Sequence, residues 1–263
     1  MTRSVMLALM LTLVGLRPAV AAKVTEEKLD FPLRGKQMDL TLYVPAAAPK
    51  GTIIMGSGDV GWVGLAVDLS KYLAPEGYVV VGVNVRQYLS AFTTSSGHLT
   101  PEQAQEDFSA MAGFLKARGL LPRPVVVAGV SEGAALAVLV AAQPKNHTWI
   151  DGVMTMGLPA SAEIAWRWSD FTTWITKKNA KEPSFEAKDY IAGVSPLPLW
   201  MIQSTKDEYV PKADYEMLDA AAREPKRLIL IDASNHRFTD RIAELREQVQ
   251  AGLSWIRAQH PTP

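Results

Sequence analysis

The pentapeptide Gly129-Val130-Ser131-Glu132-Gly133 stands between the apolar run Pro124-Val125-Val126-Val127-Ala128 and the helix-forming stretch Ala134-Ala135-Leu136-Ala137-Val138-Leu139. A serine is thereby placed at a turn that joins a buried strand to a buried helix, the arrangement called a nucleophile elbow. The turn holds the serine in a strained backbone conformation. Glycines two residues before and after it remove side chains that would collide with the facing strand and helix. A bare G-x-S-x-G also occurs in glycine-rich surface turns; here the strand-turn-helix context argues for the elbow.

A serine hydroxyl is a poor nucleophile until a base takes its proton and an acid orients that base. With an elbow of this kind the chain order is serine, acid, histidine. Of the four histidines, His98 precedes Ser131, His147 falls before any plausible acid strand, and His260 lies in the Pro-rich tail. His236, in Ser234-Asn235-His236-Arg237-Phe238, follows the last apolar strand and precedes the final helix. The acid belongs in the loop Gln203-Ser204-Thr205-Lys206-Asp207-Glu208-Tyr209, where Asp207 is the first choice and Glu208 the fallback. Asp232 reads as an end-of-strand residue. The predicted catalytic set is Ser131, His236 and Asp207.

Eight runs read as strands: Val24–Leu33, Met38–Val44, Thr52–Met55, Tyr78–Val83, Val125–Ala128, Gly152–Met156, Leu199–Gln203 and Arg227–Ile231. Arg34-Gly35-Lys36 suggests an antiparallel hairpin between the first two, and helical segments separate most of the later ones. Helices are expected over Val63–Leu73, Pro101–Arg118, Glu132–Ala142, Ala213–Ala222 and Arg241–Ala258. The fold class is therefore α/β, with a mostly parallel eight-stranded sheet flanked by helices. Residues 160–196, between strands six and seven, hold Trp166, Trp168, Phe171, Trp174, Phe185 and Tyr190 in a polar background and are expected to form a small cap over the pocket mouth.

At 263 residues and 48% hydrophobic content the chain can build one large domain. Basic and acidic residues number 27 each. With no long run of one sign, nucleic acid is not an expected partner. Arg3, the apolar stretch from Val5 to Leu16 and Ala19-Val20-Ala21 read as a secretory signal over residues 1–21, with the hydrolase-type domain over 22–263. Cleavage would remove two arginines and leave the mature chain about two charges negative. The absence of cysteine excludes disulfides and thiolate chemistry, which suits a periplasmic or secreted protein with a core of its own. No metal or prosthetic group is implied.

Acyl transfer also needs hydrogen-bond donors for the developing oxyanion. The backbone N–H of Glu132 should be one; Ser57 or Gly58, in Gly56-Ser57-Gly58-Asp59-Val60-Gly61-Trp62, should supply the other. That loop is also a literal G-x-G-x-x-G after a strand, so an NAD(P)-binding oxidoreductase must be weighed. Against it, two strands precede the loop, an acidic ribose ligand is missing from the end of the next strand, and no Tyr-x-x-x-Lys pair occurs. A non-catalytic binding module on the same fold is the other alternative, and the complete set of Ser131, Asp207 and His236 speaks against it.

The chain resembles the α/β-hydrolase superfamily over essentially all of its mature length. More narrowly, four stretches are similar to the VirJ-type bacterial virulence proteins and the related periplasmic AcvB domain: Ser57-Gly58-Asp59-Val60-Gly61-Trp62, Val81-Gly82-Val83-Asn84 with Arg86-Gln87-Tyr88-Leu89, Thr100-Pro101-Glu102-Gln103, and Gly129-Val130-Ser131-Glu132-Gly133-Ala134. Two positions depart from that pattern: Val60 replaces a glycine, and Glu132 stands where an aromatic or aliphatic residue is expected. The resemblance implies an exported serine esterase acting on aminoacyl esters of phosphatidylglycerol, in peripheral contact with a membrane surface. The residues themselves carry the reading only as far as an esterase for a small-molecule or lipid ester.

Overall fold

The computed structural model describes residues 23–167 and 183–259. The expected signal segment, the expected cap residues Trp168, Phe171 and Trp174, and His260 lie outside the described residues.

One eight-stranded sheet forms the centre, in the spatial order β1 (Val24–Leu33), β2 (Lys36–Pro45), β4 (Val79–Val83), β3 (Thr52–Gly56), β5 (Val125–Val130), β6 (Gly152–Met156), β9 (Leu199–Ser204) and β10 (Lys226–Ile231). β2 runs antiparallel to both β1 and β4, and every other neighbouring pair is parallel. Each of the eight expected strands is present. Every residue of β3, β4, β5, β6 and β9 is buried. Strands covered on both faces have no solvent side to carry polar residues, which is why they read as continuous apolar runs.

The helices are α1 (Leu65–Leu73), α2 (Val85–Phe92), α3 (Pro101–Ala117), α4 (Glu132–Ala141), the short α5 (Lys188–Ile191), α6 (Lys212–Ala221) and α7 (Ile242–Gln259). On one face of the sheet Leu69, Leu245 and Leu253, from α1 and α7, pack with Ile53, Met55 and Phe238. On the other, Phe108 of α3 and Leu139 of α4 pack with Leu42, Ile54 and Val81. α4 is buried at every position from Gly133 to Ala141, so it has no polar face and runs through the core behind the elbow.

α2 was absent from the expected elements. Its signals are short: Asn84 caps it by accepting the Gln87 N–H at 3.1 Å, and Val85, Tyr88 and Leu89 bury one face at helical spacing. A buried polar cluster ties it to the N-terminal hairpin. Asp107 of α3 accepts hydrogen bonds from the Tyr88 hydroxyl at 2.7 Å and from the Arg34 guanidinium at 2.8 Å. Burial raises the pKa values of both Asp107 and Tyr88 above their ordinary ranges. α1 starts at Leu65, not Val63, because Gly64 at φ 60° interrupts the helix.

Between β6 and β9, β7 (Ser161–Glu163) pairs antiparallel with β8 (Ser184–Glu186). Phe185 and Tyr190 meet edge to face at 5.8 Å and pack against the core. Trp166 packs against the same core and also contributes to the wall of a cavity.

Candidate active site

Ser131 links β5 to α4 with φ 54° and ψ −122°, a conformation that non-glycine residues avoid. Its N–H donates to the Met156 carbonyl at 3.0 Å, which anchors the strained residue to the next strand. Close packing explains the flanking glycines. A Cβ at Gly129 would lie 2.0 Å from the Gly133 carbonyl oxygen, and one at Gly133 would lie 2.5 Å from the Gly56 and Ser57 carbonyl oxygens. β3, β5 and the first turn of α4 touch backbone to backbone, and no side chain fits between them.

Asp207 and His236 come together on the loops after β9 and β10. The Asp207 side chain is fully buried, and its Oδ2 lies 2.6 Å from His236 Nδ1. Gln203 Nε2 donates to the same Oδ2 at 3.0 Å, and the N–H groups of Tyr209 and Val210 donate to Oδ1 at 2.9 Å each. Four hydrogen-bonding groups thus hold one carboxylate in a single orientation. Glu208, the fallback acid, faces elsewhere: its Oε2 accepts the backbone N–H of His236 at 2.7 Å and fixes the loop, not the ring. Tyr209 packs edge-on to the imidazole at 5.4 Å. Phe238, fully buried at φ 55°, pins the strained turn that follows.

The imidazole reaches back toward the elbow. A Cβ at Gly157 would lie 2.5 Å from His236 Cε1, so the ring sits against the residue next to Met156, whose carbonyl holds Ser131. His236 Nε2 is buried and has no hydrogen-bond partner; the bond from Ser131 Oγ to Nε2 is not formed in this state. A long or absent serine-to-histidine bond is common before substrate binds.

The two residues proposed for the second oxyanion donor are in different states. The Ser57 N–H already donates to the Val83 carbonyl at 3.1 Å, and its hydroxyl accepts from Val85 N–H and donates to the Gly58 carbonyl. Ser57 is therefore committed to joining β3, β4 and α2, and its N–H does not face the site. Among the described residues Gly58 has no backbone acceptor for its N–H, and a Cβ on it would lie 3.5 Å from Ser131 Cβ. Glu132, as first residue of α4, has no intrahelical acceptor for its own N–H. The glycine loop weighed above as a dinucleotide cradle is thus packed against the elbow serine.

The Glu132 side chain is the departure from the family pattern that stands next to the serine. Its Oε2 is buried without a hydrogen-bond partner. Burial raises its pKa above the ordinary glutamate range, and the neighbouring Asp59 carboxylate pushes the same way; the Ser131 hydroxyl, its own backbone and His236 pull it back. The other histidines are spent elsewhere or lie outside the described residues: His98 is exposed, and His147 Nε2 lies 2.8 Å from the Ala141 carbonyl. An open cavity of about 810 Å³ is lined by Gly61, Trp62, Asn84, Arg86, Thr93 and Trp166. The Arg86 guanidinium stacks over the Trp166 ring at 4.2 Å.

Strand order, crossovers and elbow define an α/β-hydrolase fold. Within that class, the chain belongs to the bacterial virulence protein (VirJ) family, whose profile matches residues 51–239. It is 30% identical over 219 residues to the uncharacterized protein YfhR of Escherichia coli O157:H7, a match covering 78% of this chain and 70% of that one. Among solved structures it is similar to the esterase domain of a Rhodothermus marinus protein, with a TM-score of 0.61 at 21% identity over 89% of this chain and 99% of that one. It is also similar to an esterase of Pyrococcus furiosus, with a TM-score of 0.64 at 17% identity, covering 88% and 90% of the two chains. At these identities the structural likenesses establish the fold. Among the described residues no helix is long and apolar enough to cross a membrane.

Proposed function

We propose that the protein is an exported serine hydrolase that cleaves carboxylic esters through Ser131, His236 and Asp207. The observation that carries this reading is the 2.6 Å pairing of His236 Nδ1 with a saturated, buried Asp207, the imidazole lying against Gly157, next to the Met156 whose carbonyl anchors Ser131 at φ 54°. A binding domain has no need to bury that pair against a strained serine.

In this mechanism His236 Nε2 takes the hydroxyl proton as Ser131 Oγ attacks the ester carbonyl carbon. The N–H groups of Glu132 and Gly58 stabilise the oxyanion. Collapse of the tetrahedral intermediate expels the alcohol, which receives the proton from His236. Water, deprotonated by the same imidazole, then attacks the acyl-enzyme and frees the acid and Ser131. Asp207 keeps the imidazole in the tautomer that presents Nε2 to the serine and stabilises the imidazolium.

Aminoacyl esters of phosphatidylglycerol are the substrate that the family resemblance supports, with hydrolysis at the outer face of the inner membrane after export of the chain behind residues 1–21. The test uses the mature protein and its Ser131→Ala variant on short and long p-nitrophenyl esters and on lysyl-phosphatidylglycerol in vesicles. Turnover lost by about 10⁴- to 10⁶-fold in the variant, with fluorophosphonate labelling lost in parallel, is the expected result. Hydrolysis at wild-type rate without Ser131 would refute the reading.

A further inference from the structure

The two carboxylates of the site sit where they would hinder the reaction as written. Glu132 supplies one expected oxyanion donor from its own backbone, and Asp59 is the residue after the other, Gly58. Their charges bear on each other and on the nucleophile: the Glu132 carboxyl feels both the Asp59 carboxylate and the Ser131 hydroxyl. Negative charge beside an oxyanion hole opposes the negative charge that develops there. Glu132 Oε2 is moreover buried and unpartnered. A buried carboxylate oxygen without a donor is costly, and a fold retains such a group where something else supplies the partner.

We propose that Glu132, assisted by Asp59, is a specificity-determining cation site that selects esters whose acyl part carries an ammonium group on the carbon next to the carbonyl. The inference rests on Ser131 being the nucleophile. Glu132 adjoins that residue, its Oε2 is buried without a partner, and the Ser131 hydroxyl is close enough to bear on its carboxyl. A cation two bonds from the attacked carbonyl carbon therefore falls within reach of the carboxylate, whereas one at the end of a long chain passes beyond it. The ammonium gives Glu132 Oε2 its missing donor and cancels charge that would otherwise repel the oxyanion. A neutral acyl group does neither. The residue following the serine thus acts twice, through its N–H on the oxyanion and through its carboxylate on the cation.

The experiment compares alanyl and 2-methylpropanoyl esters of one chromogenic alcohol, which differ by an ammonium in place of a methyl group. A second pair, 6-aminohexanoyl and heptanoyl, places the charge far from the carbonyl. The alanyl preference in kcat/KM, corrected for spontaneous hydrolysis, should fall about tenfold or more in Glu132→Gln and about threefold in Asp59→Asn. In Glu132→Gln, kcat on the 2-methylpropanoyl ester should rise, because repulsion of the oxyanion is relieved. The 6-aminohexanoyl preference should change little. An alanyl preference unaltered in both variants, each still labelled by fluorophosphonate, overturns the cation site while leaving the hydrolase intact. Should Glu132→Gln fail to fold, Asp59→Asn in the exposed loop decides. Ester hydrolysis independent of Ser131 would instead remove the reading on which the site rests.

Discussion

The acid arm and the nucleophile arm of the proposed site are built in opposite ways. On the acid arm, Asp207 has a hydrogen bond to every face it presents, and Glu208 secures the His236 backbone. On the nucleophile arm, Ser131 is strained, His236 Nε2 has no partner, and Glu132 Oε2 is buried without one. The first arm is complete before anything binds. The second keeps donors, acceptors and charge in reserve, as expected where a ligand is to be the missing partner.

The largest expected effect breaks the complete arm. Asp207→Asn keeps the shape but offers the imidazole the wrong hydrogen-bonding partner, and kcat should fall by about 10³- to 10⁴-fold with little change in KM. Steady-state kinetics on a p-nitrophenyl ester check this. Next is Gly133→Ala, where the new Cβ meets backbone atoms of Gly56 and Ser57 at 2.5 Å, none of which can rotate away. A loss of about 3 kcal/mol is expected, or on the order of 10 °C in Tm by calorimetry. Gly157→Ala joins the two arms: its Cβ would stand 2.5 Å from His236 Cε1 and force the ring to shift. Activity should drop on the order of 100-fold, because misplacing a catalytic base by about 1 Å costs that much, while Tm moves far less than in Gly133→Ala. Because Gly157 sits at φ 64°, alanine there also strains the backbone, so activity decides: a Gly157→Ala protein of wild-type kcat would show that the ring is not what Gly157 accommodates.

The contrast between arms also marks what was legible in the sequence. The eight strands were readable because burial on both faces turns them into apolar runs; for the proposed site, chain order leaves little choice of serine, acid and histidine at three strand ends, and Asp207 and His236 do lie 2.6 Å apart. The α2 helix was missed because its apolar residues are only Val85, Tyr88 and Leu89, set among Arg86, Gln87 and Ser90 directly after a strand. Ser57 could not be separated from Gly58, since the direction of an N–H depends on the turn, and only the bond from Ser57 to Val83 settles where it points. Arg34 and Asp107 meet across 73 residues, a pairing that no local pattern announces. Glu132 was visible as an odd residue after the serine. That one oxygen of its carboxylate is buried without a partner, near enough to Asp59 to feel its charge, is a property of packing, which periodicity does not encode.

The smallest expected effect sharpens the comparison through stability alone. Burial, then Asp59, raises the Glu132 pKa, so the folded protein holds this proton more tightly than the unfolded chain does. For an acid shifted in that direction, the stability cost is absent below the unfolded value, about 4.3 for glutamate. It grows as pH rises toward the folded value and stays constant above it. Glu132→Gln carries no such charge. Its denaturation midpoint should lie above that of the wild type at neutral pH, and the two curves should converge as pH falls below the ordinary glutamate range. Asp207 offers the control: its carboxylate is already satisfied by four groups, so Asp207→Asn should bring no matching gain at neutral pH. A Glu132→Gln protein less stable than wild type at pH 7 would mean that the carboxylate is held by partners of its own, and the nucleophile arm would then be as complete as the acid arm.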